Sequence, residues 1–126
     1  MSKKKLYYLS HPYAPYGNRT KEMNLQAAKS YLMALNKEDI FTIAPWIGLI
    51  DSLENDEGLR ESLPAEEEVL KRCDGLILCG YKMSAGMRID TQIAVDNSLE
   101  VWDAMEMAPY IAARSVKAEL DGGKNE

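Results

Sequence analysis

Gly75-Leu76-Ile77-Leu78-Cys79-Gly80, followed three residues later by Ser84-Ala85-Gly86-Met87-Arg88-Ile89-Asp90, reads as a strand passing through a short loop into a helix. An unbroken apolar run bounded by glycines fits a parallel strand buried on both faces. In an open α/β sheet, ligands bind at the carboxyl ends of the strands, so Ser84, Arg88 and Asp90 fall at a candidate site. Asp90 stands about one turn into the helix, where the helix dipole favours an ionised carboxylate.

The flanking segments repeat this alternation. Leu6 to Ser10 reads as a short buried strand, and His11-Pro12, Pro15, Gly17 and Asn18 make a turn-rich loop after it. Thr20 suits the cap of a helix whose apolar positions are Met23, Ala27, Ala28, Tyr31, Leu32 and Leu35. Ile40 to Ala44 predicts a second strand, stopped by Pro45. Trp46 to Gly58 is ambiguous, though apolar enough for a short helix. A helix opened by Pro64, acidic in its first turn, is expected from Ser62 or Leu63 to Arg72. Another is expected from about Gly86 to Asn97, then a short strand at Leu99 to Trp102. Ala104 to Leu120 predicts a terminal helix interrupted or restarted at Pro109, and residues 121–126 an unstructured tail. The order implies a flavodoxin-like or Rossmann-like α/β fold, with a parallel sheet of four or five strands and helices on both faces.

The chain has 126 residues, 46% of them apolar, which suits one domain (residues 1–120) with a single core. Its formal charge of −5 argues against a polynucleotide partner, while leaving small anions to local cations and helix amides. The segment after Lys3-Lys4-Lys5 is too short and polar for a signal peptide or membrane span. Cys73 and Cys79 read as core thiols of a reducing, cytoplasmic protein. His11 is the only histidine, and with no second ligand at metal spacing it reads as a loop hydrogen-bonder. No metal and no organic cofactor is expected.

Tyr8-Leu9-Ser10-His11-Pro12-Tyr13 and the Ser84 to Asp90 loop together resemble the nucleoside 2-deoxyribosyltransferase-like superfamily, over roughly Leu6 to Trp102. That group includes deoxyribosyltransferases, 2-deoxynucleoside 5-phosphate N-hydrolases and small bacterial and phage proteins. The resemblance implies a flavodoxin-like sheet and a site built from a strand tyrosine, here Tyr8. It further implies a Ser-x-Gly-x-x-x-Glu loop, matched by Ser84, Gly86 and Asp90, and an acidic residue near the base, matched by Glu66 eight residues before Asp74. It also implies a homodimer.

The chemistry so implied is cleavage or transfer at the N-glycosidic bond of a small nucleotide or nucleoside. Asp90 acts as nucleophile or cation stabiliser, Tyr8 orients the sugar, and Glu66 or a water handles the base. Asp90 stands where the family carries glutamate, and the shorter side chain matters because a misplacement of about 1 Å costs roughly a hundredfold in rate. Arg19, Ser84, Arg88 and helix amides suit a phosphate, which ranks a nucleotide above a nucleoside. Asn18 belongs to the same turn, and Tyr13, Tyr16 and Trp46 offer rings for a base. Gly86 permits close backbone approach.

Each residue also has a plain structural reading: Asp90 and Glu66 as helix-start acids, Tyr8 as strand packing, Ser84 as a cap. The rival function is sensing or sequestration of a nucleotide-derived ligand without turnover.

Overall fold

The computed structural model describes residues 4–47 and 64–124. Four strands form one parallel sheet: β1 (Tyr7–Ser10), β2 (Thr42–Ile43), β3 (Gly75–Gly80) and β4 (Glu100–Met105). Their spatial order is β2-β1-β3-β4, the start of the flavodoxin-like 2-1-3-4-5 arrangement. The helices are α1 (Lys21–Lys37), α2 (Pro64–Arg72), α3 (Ala85–Asp96) and α4 (Pro109–Lys124). α1 packs with α4, and α2 packs with α3. The chain leaves β1 towards β2 but arrives at β3 on the other flank, so the topological switch point lies between β1 and β3.

The core follows from pattern. All six residues of β3 and all four of β1 are buried, as central parallel strands require. α1 buries Asn24, Ala28, Tyr31 and Leu35, one stripe at helical spacing. Met23, expected on that stripe, is 45% exposed, and Asn24 takes the inward place. Asn24 donates to the Tyr13 and Ala14 carbonyls at 3.2 and 2.9 Å, tying the first loop to the helix.

Several boundaries differ from expectation: β2, expected over Ile40 to Ala44, is only Thr42–Ile43. β4 runs on to Met105, so residues 104–108 are not helical, and α4 begins at Pro109, where proline's fixed φ suits the first helical position. The expected unstructured tail is helical through Lys124. The ambiguous segment from Trp46 to Gly58 lies, after Ile47, outside the described residues, as does the start expected for α2.

At the amino ends of the strands, Gly75 lets the Tyr7 ring cross β3 to reach β4. A Cβ on Gly75 would stand 2.9 Å from that ring. The Tyr7 hydroxyl donates to Glu100 at 3.2 Å, beside donors from Trp102 at 3.0 Å and Lys5 at 2.5 Å. Burial opposes the Glu100 charge, but these three donors outweigh it and hold the carboxyl below its usual range.

Candidate functional site

Strand alternation sends Tyr8 and Ser10 of β1 to the sheet face covered by α2 and α3. Each meets a buried carboxylate. The Tyr8 hydroxyl donates to Glu66 of α2 at 3.1 Å, and the Ser10 hydroxyl donates to Asp90 of α3 at 2.7 Å. Both carboxylates are 6% exposed. Of the run Glu66-Glu67-Glu68, Glu67 and Glu68 pair outward with Lys71 at 3.1 and 3.5 Å, and Glu66 alone turns into the core. Ser10, at the end of β1, and Asn24, on the buried stripe of α1, were absent from the sequence-based set, because nothing local marks a polar residue as inward-facing there.

Above these pairs, at the carboxyl ends of β1 and β3, lies a cavity of about 400 Å³ lined by Tyr16, Tyr81, Lys82, Ser84 and Arg88 among others. None of its described lining residues is acidic, in a chain of net charge −5. Ser84 caps α3 by accepting the Met87 N–H at 3.2 Å. The remaining amides of that first turn, with Lys82 and Arg88, suit an anion. Tyr16 and Tyr81 supply aromatic surface, their centroids 6.3 Å apart. Lys82 stands 3.6 Å from the Tyr16 ring centre.

The first loop presents Tyr16 through a tight turn. Tyr16 and Arg19 exchange two backbone hydrogen bonds, 3.0 and 2.9 Å, around Gly17 at φ 58°. Asn18 is exposed at its tip. Arg19 turns away from the first cavity, lies 4.7 Å from the Tyr81 ring centre, and lines a second cavity of about 360 Å³ beside His11 and Tyr31. Gly80, at φ 118°, brings β3 against this loop so closely that a Cβ would stand 2.6 Å from Pro12.

The residues expected from sequence therefore divide. Ser84 and Arg88 meet Tyr16 at the first cavity; Asp90, Tyr8 and Glu66 are buried below the sheet edge; Arg19 stands across Tyr81. Gly86 is buried in the first turn of α3. Tyr13 and Trp46 are core residues, 1% and 3% exposed, and the Trp46 indole donates to the Leu9 carbonyl at 3.0 Å. Packing, not stacking on a ligand, accounts for both. Tyr81 and Lys82 line the first cavity and were passed over by sequence reasoning, although they stand directly after β3.

A third cavity, about 1000 Å³, lies at the opposite end and includes Tyr7, Glu100 and Trp102. Within it Lys5, Tyr7 and Trp102 all donate to Glu100, and the amino ends of parallel strands are not where open α/β sheets bind ligands. Among the described residues there is no metal-ligand cluster, and no helix is long and apolar enough to cross a membrane.

Comparison with curated proteins finds no match. A family model, described as a domain of unknown function (DUF7768), matches residues 5–104. That span includes the whole sheet except Met105, both cavity-lining loops after β1 and β3, and both buried carboxylates, and the chain belongs to this DUF7768 family.

Proposed function

We propose that this domain binds a small nucleotide across the carboxyl ends of β1 and β3 and cleaves or transfers its N-glycosidic bond, with Asp90 as the working carboxylate. The observation that carries the reading is the Ser10–Asp90 hydrogen bond of 2.7 Å, which ties a buried carboxylate of α3, two residues after Arg88 of the cavity lining, to the last residue of β1. The phosphate takes the Ser84 turn of α3 with Lys82 and Arg88, and the base lies against the tyrosines. Departure of the base with the C1′–N electron pair leaves an oxocarbenium-like sugar, which Asp90 stabilises or captures. Water or an incoming base completes the exchange, and Glu66 or water supplies the proton the departing base needs. The resemblance in sequence to the nucleoside 2-deoxyribosyltransferase-like group supports this chemistry and a homodimer. Two buried free thiols support a reducing, cytoplasmic setting.

One observation favours the rival reading, binding without turnover: Asp90 and Glu66 are 6% exposed and already hydrogen-bonded. Titration tests the shared part. A nucleoside monophosphate is expected to bind about tenfold or more tighter than its nucleoside, a margin that Lys82→Ala with Arg88→Ala removes. Equal affinities would take phosphate out of the site. Base release by the unmodified protein and not by Asp90→Asn separates catalysis from binding alone.

A further inference from the structure

Three side chains of the second cavity each carry a polar atom that is buried and has no hydrogen-bond partner among the described residues: His11 Nε2, Arg19 Nε and the Tyr81 hydroxyl. Unsatisfied buried polar groups are costly and few in folded proteins, and three of them belong to residues that line this one cavity. Their neighbours define what each offers. His11 Nδ1 lies 2.7 Å from the Pro12 carbonyl oxygen, a contact that requires Nδ1 to hold the proton and donate. Nε2 is left as an acceptor. Burial is the main cause that lowers the His11 pKa to about 4; the Pro12 hydrogen bond opposes it and the Arg19 charge adds to it, so the ring is neutral near pH 7. Arg19 only donates, and its stacking on Tyr81 at 4.7 Å fixes its plane.

His11 is 5% exposed, and Glu106, held at φ 64°, adds a carboxylate acceptor to the cavity lining. An acceptor and a donor in one small cavity complement an edge on which N–H or NH₂ adjoins a carbonyl or ring nitrogen. Tyr81 is the wall common to this cavity and to the cationic one.

We propose that the second cavity reads the polar edge of a heterocyclic base, His11 Nε2 accepting from the base N–H and Arg19 Nε donating to the adjacent acceptor. The inference rests on the nucleotide reading and extends it. The base passes over Tyr81 towards β4, while the phosphate stays at Lys82 and Arg88. Base specificity then resides in His11 Nε2, Arg19 Nε and the Tyr81 hydroxyl, while the Tyr81 ring lines both cavities.

Calorimetric titration with purine and pyrimidine nucleoside monophosphates, and with ribose 5-phosphate as the ligand lacking a base, tests this. Arg19→Met and Tyr81→Phe each are expected to weaken at least one monophosphate about tenfold and to leave ribose 5-phosphate unchanged. Tyr81→Phe removes only the hydroxyl and keeps the ring contacts, so it reports even if Arg19→Met fails to fold. Equal losses for both ligand types, or unchanged monophosphate binding, would overturn the assignment while the nucleotide reading stands. No binding of any monophosphate by the unmodified protein would overturn both.

Discussion

His11 and Asp90 show how burial changes what a polar residue does. The only histidine was read as a loop hydrogen-bonder; it donates to Pro12 and is held neutral inside the fold. Its lowered pKa links to stability with a definite sign. Between the unfolded value of 6.5 and the folded value of about 4, the unfolded chain binds more protons, so stability falls as pH drops through that window. From pH 7 to pH 5 the loss attributable to His11 is about 2 kcal/mol. Urea unfolding at the two pH values should give a difference smaller by about that amount in His11→Asn; an unchanged difference would mean the ring titrates normally. Asp90 was legible as a candidate because it stands about one turn into the helix after β3, and Glu66 only through the resemblance, since a helix start alone gives either acid a plain structural role. Their hydroxyl partners differed in visibility: Tyr8 was named from the resemblance, whereas Ser10 within an apolar strand carries no mark of its contact with a residue 80 positions away.

At the scale of elements, β3 was legible to the residue because an apolar run between glycines suits only a fully covered strand. The starts of α1 and α3 were legible from their caps, Thr20 and Ser84. β4 was read too short. Asp103 and the methionines and alanines after it resemble a helix, but Ala104 is buried in the sheet and the chain turns at Glu106 through a left-handed φ of 64°. No local rule announces that turn at a glutamate. Gly75 belongs to this scale because it couples three strands: the Tyr7 ring lies over it and Glu100 stands on its far side. Gly75→Ala sets a Cβ 2.9 Å from the ring and 3.0 Å from Glu100 Cβ. A loss of roughly 1–3 kcal/mol in chemical denaturation is expected, the range typical of overpacking. A neutral result would show that Tyr7 shifts freely and that the Lys5–Glu100–Trp102 cluster does not restrain it.

For the whole molecule, the alternation of strands and helices made a parallel sheet with two covered faces legible, and β2-β1-β3-β4 realises it. The switch point between β1 and β3 follows from that order, and both smaller cavities open there. How they divide was not legible, because it depends on Arg19 crossing to the far side of Tyr81, a contact between loops some 60 residues apart in sequence. That division separates the cations: Lys82 and Arg88 face one cavity and Arg19 the other.

The most direct test of the central claim is chromatographic detection of free base after incubating the protein with ribo- and deoxyribonucleoside monophosphates, with Asp90→Asn in parallel. The account predicts base released from at least one member by the unmodified protein and none by the variant. Release by both proteins alike would remove Asp90 from the chemistry, and release by neither, with a monophosphate bound, would contradict N-glycosidic cleavage and leave a nucleotide-binding domain.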